Sequence, residues 1–386
     1  MIRKVPLLAA LLLLSLTARA ASAQPTNVIF FIGDGMGPAQ VEAAGLYAGG
    51  PMSFEGFAHQ AYMTTYSANN PITDSAAAAT AMATGVKVPN GVISMSGPTE
   101  LYTLLEYYRD LGRSTGLVTT TYMTHATPAA FGAHEPSRDN LSQIASDYLN
   151  QTRPNVLLGG GANGMSVFAA TTAGYNVVTD RASMLALDTE MQTYVSGQFG
   201  STHLPYEYDG VGLLPHLSEM TSTALNILDN DTDGFFLMVE GGRIDQAGHD
   251  HDIARNVTET VEFANSVQQA INWASGRSDT LIIVAADHET GGLVVNGPGT
   301  PFPDVTWTAS GHTATNVPVY AWGVNAYMVT GLMDNTDLWD VMTIPEPATI
   351  VLIGFGAITL ARMRRPSRPA RTRATLGEMS GMHRRQ

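Results

Sequence analysis

The chain of 386 residues contains no cysteine. That excludes a disulfide framework, a thiolate metal site and a cysteine nucleophile. Charge of either sign is sparse, at 14% of residues, and positive charge is sparser still away from the ends. Between residues 24 and 344 nine basic residues face 32 acidic ones, a net charge of −23. A body that acidic repels nucleic acid and anionic lipid, so nucleic acid is not expected as a specific partner. It needs another means of holding an anionic substrate, and bound cations would serve. What is plentiful is apolar sequence, 44% of residues, which excludes a mostly disordered chain and supplies a large core. No internal repeat is evident.

The two ends read as addresses rather than fold. Residues 1–23 combine Arg3 and Lys4, an apolar stretch over 5–16 and the small residues Ala21, Ser22 and Ala23, the pattern of a cleaved secretory signal peptide. A short membrane anchor is the alternative. Residues 344–386 carry Pro345-Glu346-Pro347, an apolar run over 348–361, and then Arg362, Arg364 and Arg365. The run is shorter than the ~20 residues of a stable spanning helix, and a buried C-terminal helix is the plain alternative. The three parts together resemble the PEP-CTERM sorting signal of exported bacterial proteins. The resemblance implies a transmembrane helix in transient contact with the inner membrane and recognition by an exosortase-type protease. It also implies delivery to the periplasm, cell surface or extracellular matrix of a Gram-negative-type bacterium.

Residues 24–343 alternate apolar runs with helical patterns. Runs at 27–32 (NVIFFI), 116–121, 155–158, 235–239 (FFLMV), 280–286 (TLIIVAA) and 317–322 suit strands buried on both faces. Helices are expected over 101–111, closed by Gly112, and over 253–274, where Val257, Val261, Ala264, Val267 and Ile271 recur with a 3.6-type period. Residues 171–215 show no strong period and are expected to mix helix and loop. Strand–helix alternation predicts an α/β domain with a largely parallel sheet, in which ligands collect beyond the C-terminal strand ends.

Polar residues gather at those ends. The first strand delivers Asp34 among glycines; the 235–239 strand delivers Glu240, then Asp245 and His249; the 280–286 strand delivers Asp287 and His288; and His312 precedes the 317–322 strand. Each alone reads as a turn residue or an ordinary histidine. Four acids and three histidines at successive strand ends point instead to bound cations, since carboxylate with imidazole suits zinc and carboxylate with hydroxyl suits magnesium. Asp245 and His249 are four apart, so one helical turn brings them to one face.

Ser75 stands in TDSAAAAT, at the start of an alanine-rich helix ended by Gly85. Taken alone it is a serine N-cap. Beside a metal ion it would be a nucleophile, with the helix N-terminus favouring a phosphate. Arg138 is one of the nine basic residues of the body. It reads either as a surface arginine before a helix starting near Asp139, or as a guanidinium gripping two phosphate oxygens.

The segments NVIFFIGDGMG, TDSAAAATAMATGVK, HATPAAFGAH, VEGGRID, ADHETGGL and GHT, in this order over about 27–323, closely resemble the motifs of alkaline phosphatase. The resemblance implies a three-layer α/β sandwich around a central, mainly parallel sheet, with two zinc ions and one magnesium ion per subunit. Asp245, His249 and His312 would hold one zinc. Asp34, Asp287 and His288 would hold the other, beside Ser75. Asp34, Thr127 and Glu240 would hold magnesium. Ser75 would form a phosphoserine and Arg138 would bind the phosphate, so that phosphate monoesters are hydrolysed to inorganic phosphate. Relatives are often dimers, so a homodimer is also implied. His125 stands where the family varies between aspartate and histidine, and would either touch the waters of the third metal or ligate zinc itself. Gln246 stands where relatives often have lysine, histidine or tryptophan, and removes one contact to phosphate. A phosphodiesterase of the same superfamily, or a non-catalytic matrix protein with this fold, are the competing readings.

Overall fold

The computed structural model describes residues 24–344. The expected signal peptide and sorting segment, with its apolar span at 348–361, lie outside the described residues. Among the described residues no helix is long and apolar enough to cross a membrane, so the transmembrane expectation gains no support.

Ten strands form one sheet: β1 (Asn27–Gly33), β2 (His59–Thr64), β3 (Ser114–Tyr122), β4 (Val156–Gly160), β5 (Asn176–Val178), β6 (Val195–Gln198), β7 (Phe235–Gly241), β8 (Thr280–Ala285), β9 (Val317–Gly323) and β10 (Gly331–Asp334). Their spatial order is β10-β2-β9-β8-β1-β7-β3-β4-β6-β5. Only β9 runs against the others, pairing antiparallel with both β8 and β2. The sheet is therefore mainly parallel, as expected.

Adjacent side chains of β1 show that both faces are covered. Phe30 packs edge-on against Phe131 of the helix Ala126–Gly132, at 5.9 Å between ring centroids. Phe31, pointing the other way, meets Phe263 of the helix Ile253–Trp273 at 6.0 Å. Strands buried on both faces are apolar throughout, and β1, β7 and β8 are buried at every position. That is why these three were legible as continuous apolar runs.

Two expectations need correction. The region 171–215 supplies β5 and β6, which complete one sheet edge. These strands have three and four residues, and β6 reads VSGQ, too short and too polar for a periodic signal. The first helix expected at 101 begins at Leu104, because Thr103 caps it in a reciprocal box with Glu106.

Parallel register positions the site. Ile32 of β1 lies opposite Glu240 on one side and Ala285 on the other. Asp34, Glu240 and Asp287 therefore emerge together at one edge of the sheet.

Candidate active site

The structure brings the expected strand-end residues into one buried cluster. Three overlapping groups place their ligand atoms within 4.8 Å of one another: Asp34, Asp287 and His288; Asp245, His288 and His312; and Asp34, His125 and Glu240. His249 belongs to the second group as well, with Nε2 3.4 Å from Asp245 Oδ1 and 3.1 Å from His312 Nε2. It sits on the short helix Arg243–His249 that begins just after β7, one turn from Asp245 as its spacing predicts.

Each imidazole is oriented by what its Nδ1 touches. His249 Nδ1 faces the Ser310 carbonyl at 3.2 Å, and His312 Nδ1 faces the Thr73 carbonyl at 2.8 Å. His288 Nδ1 lies 3.2 Å from Thr290 Oγ1, whose own proton goes to Asp245 Oδ1 at 2.5 Å. These contacts put the ring proton on Nδ1 and leave the three Nε2 lone pairs turned inward, the arrangement that second-layer hydrogen bonds give to metal-binding histidines. The Nε2 atoms of His249 and His312 face one another beside Asp245 Oδ1, an arrangement that a bound cation would satisfy.

The carboxylates carry the same signature. Asp34 and Asp287 are fully buried, and both oxygens of Asp34 and Oδ2 of Asp287 lack a hydrogen-bond partner. Asp287 Oδ1 is spent on the amides of Gly35 (3.1 Å) and His288 (2.9 Å). Glu240 accepts through Oε2 from Thr119 and from Thr121 (3.2 Å), while Oε1 is bare. Thr127 turns a buried hydroxyl toward the same carboxylate, close enough to draw its pKa down though short of good hydrogen-bond geometry. Burial, then repulsion from Asp287, Asp245 and Glu240, pushes Asp34 well above the usual carboxylate range. Burial pushes Asp287 up to about 8 and Glu240 to about 7, the latter against the pull of Thr119, Thr127 and Thr121. Acids this crowded stay ionised only beside compensating positive charge. The donor set fits: imidazole-rich groups suit zinc, and the oxygen-rich Glu240 group suits magnesium.

Gly35 lets the chain close around this cluster. Its φ is +73°, and a Cβ there would stand 2.8 Å from Asp245 Cα.

Ser75 opens the helix Ser75–Thr84, all ten residues of which are buried. Its Oγ lies 3.4 Å from His288 Nε2. The plain reading of Ser75 as the N-cap is wrong: Asp74 caps the helix, accepting from Ala77 N at 3.0 Å. The serine hydroxyl is thereby free for other work. Asp74 was not singled out from sequence, and neither were Thr119, Thr121 and Thr290. Thr119 and Thr121 share one face of β3 by simple alternation, and Thr119 pairs in register with Glu240, which was the available signal.

Arg138 donates from Nη1 to Asp74 Oδ2 at 3.1 Å and places Nη2 3.4 Å from His125 Nε2. It is thus a partly exposed guanidinium fixed beside Ser75. His125 stands at the edge of the cluster, with its unpartnered Nδ1 3.9 Å from Glu240 Oε1. Gln246 is turned to His203, 3.3 Å away, and accepts from Arg243.

This fold brings a serine at a helix start beside a buried cluster of carboxylates and imidazoles whose donor set suits bound cations. The comparisons give the family. The sequence model of alkaline phosphatase matches residues 25–303 and 302–345, and that of the PEP-CTERM protein-sorting motif matches 343–365. Alkaline phosphatase 3 of Bacillus subtilis is 39% identical over 293 residues, covering 71% of this chain and 63% of its own length. The chain thus spans under two thirds of that relative. Among solved structures, alkaline phosphatase from the Antarctic bacterium TAB5 aligns with a TM-score of 0.76 at 27% identity, covering 83% of this chain and 97% of its own. A variant of that enzyme, with one histidine replaced by aspartate, is described with magnesium bound in its M3 site (TM-score 0.75, 27% identity, 83% and 97% covered). The chain belongs to the alkaline phosphatase family.

Proposed function

We propose that the protein is an exported alkaline phosphatase that hydrolyses phosphate monoesters through a phosphoserine at Ser75. The observation that carries this reading is the Ser75 hydroxyl, free of capping duty and 3.4 Å from His288 Nε2, within a cluster of bare carboxylate oxygens and inward-facing imidazoles.

The residues that would hold zinc are Asp245, His249 and His312 in one site and Asp34, Asp287 and His288 in the other. Asp34, Thr127 and Glu240 would hold magnesium. Bound there, the cations would supply Lewis-acid stabilisation of the entering and departing oxygens. The chain supplies the rest. Ser75 Oγ gives up its proton to solvent and attacks phosphorus in line with the ester oxygen; the Oγ–P bond forms as the ester P–O bond breaks, and the departing oxygen takes a proton from water and leaves as the alcohol. The start of the helix Ser75–Thr84 favours the negative charge that arrives. Arg138 spans two of the non-bridging oxygens, held in orientation by Asp74. Water then cleaves the phosphoserine and phosphate leaves. Little of the alcohol is gripped by these groups, which supports broad use of monoesters.

The third site differs in its affinity for magnesium. His125 offers imidazole where a carboxylate would hold the waters of magnesium more strongly. The magnesium described in the histidine-to-aspartate variant of the Antarctic enzyme supports this reading. Export rests on the signal-peptide pattern and the PEP-CTERM motif, which together imply an exosortase-type partner.

The test is to assay the purified protein with matched aryl esters: a phosphate monoester, a phosphate diester and a sulfate. Turnover confined largely to the monoester is expected. Preference for the diester would assign it to the phosphodiesterases, and no turnover with any ester would make it a non-catalytic surface protein.

A further inference from the structure

Arg243 stands apart from the other cations near the site. It is half-buried, yet its side chain makes one hydrogen bond, from Nη1 to Gln246 Oε1, and its Nε is buried without an acceptor. Among the described residues no carboxylate lies within ion-pair distance of it. Its neighbour Arg255 shows the contrast, pairing with Asp209 at 3.0 Å and Asp252 at 3.5 Å. Both guanidiniums lie on the ring of Tyr206, with Cζ 3.6 Å and 4.7 Å from its centroid respectively. Stacking fixes the plane of Arg243 without using its N–H fork. The acids Glu259 and Asp250 act on it only at longer range. Burial raises Glu259 to about 8, which weakens the compensation it offers the guanidinium.

The position of Arg243 ties it to the active site. It opens the helix that carries Asp245 and His249. Gln246 links it to His203, whose ring lies 5.8 Å from that of His125, and His125 Nε2 is 3.4 Å from Arg138. Arg243, Gln246, His203, His125 and Arg138 thus line one rim with an arginine at each end, hydrogen-bonded except where the His203 and His125 rings meet edge to face. Arg138 stands beside the nucleophile. Asp245, two residues from Arg243, belongs with His249 and His312 to the site that the proposed function gives to the zinc facing the departing oxygen, opposite the one beside Ser75.

We propose that Arg243, with Gln246 and His203, forms a second anion subsite on the leaving-group side. It favours phosphate monoesters whose alcohol carries another anionic group, a phosphate or a carboxylate. In a body of net charge −23, such a fork is a local exception that selects these substrates from the monoesters the site accepts. The proposal rests on the phosphomonoesterase reading.

The test compares propane-1,3-diol monophosphate with propane-1,3-diol bisphosphate on the purified, metal-loaded enzyme, with kcat/KM taken per phosphate. The bisphosphate should be preferred by the wild type, chiefly through KM. Arg243→Ala should cut the bisphosphate-to-monophosphate ratio roughly tenfold, the worth of one charged hydrogen-bonding contact. Arg243→Lys, which keeps the charge and loses the fork, should fall between. Should Arg243→Ala fail to fold, the lysine variant and a salt series on the wild type decide, since screening should erode the ratio. A ratio unmoved by substitution, or one indifferent to salt, overturns the subsite alone. Hydrolysis of neither ester by the wild type overturns the phosphomonoesterase reading and the subsite with it.

Discussion

Asp74 and Arg138 are joined by a 3.1 Å bond between Asp74 Oδ2 and Arg138 Nη1, while the other oxygen of Asp74 caps the helix that Ser75 begins. The same Oδ2 also accepts from Gly91 N at 3.0 Å, and Arg138 N donates to the Gly91 carbonyl at 2.8 Å. One carboxylate therefore sets the helix start, the guanidinium and the loop between them. Asp74→Asn keeps the cap and loses the charge on Arg138; Asp74→Ala loses both. The alanine variant should be less stable than the asparagine variant by about 1 kcal/mol in urea unfolding. Equal stabilities would show that the cap contributes nothing.

Arg138→Lys tests the grip on phosphate. Lysine keeps the charge and loses the planar fork. The kcat/KM for an aryl phosphate should fall roughly tenfold, with inhibition by inorganic phosphate weakened in parallel. An unchanged phosphate inhibition constant would place Arg138 outside the binding site.

Magnesium dependence tests His125. The wild type should be stimulated by added magnesium and inhibited by excess zinc, because imidazole holds magnesium waters poorly and binds zinc itself. His125→Asp should tighten magnesium binding and reduce the stimulation. Coincident magnesium titrations of the two proteins, with zinc held constant, would remove His125 from any such role.

Chelation makes the buried acids visible. With the cations removed, Glu240 and Asp287 have folded-state values of about 7 and about 8, above those of the unfolded chain. A raised carboxylate leaves stability intact below its unfolded value, and the stability is lost as pH rises through the folded value. The Tm of the chelated protein should therefore fall from about pH 4 to about pH 8 and level off above that, and the gap to the metal-loaded protein should widen over the same range. Glu259, pushed up to about 8, acts with the same sign in both forms and cancels in the difference. A gap that is constant or narrows with pH would contradict the placing of cations among these acids.

The central sheet was legible because β1, β7 and β8 are buried on both faces and so read as unbroken apolar runs. Their parallel register then made Asp34, Glu240 and Asp287 predictable neighbours. The edge strands β5 and β6 were not legible, since three or four residues carry no period. The ligands stood out as acids and histidines at strand ends, whereas the groups that aim them did not. Thr290 and the carbonyls of Ser310 and Thr73 act through hydrogen bonds that only the folded loops create. Asp74 was overshadowed by the serine beside it, although aspartate before an alanine run is itself a cap signal.

The central claim is that Ser75 carries the phosphoryl group. The most direct measurement is mass spectrometry of the enzyme quenched in acid during turnover of a monoester, where phosphoserine survives. One phosphate on the peptide containing Ser75 is predicted, absent from Ser75→Ala, which should keep its metals and lose most of its turnover. Phosphate on another residue, or full activity in Ser75→Ala, would contradict the account.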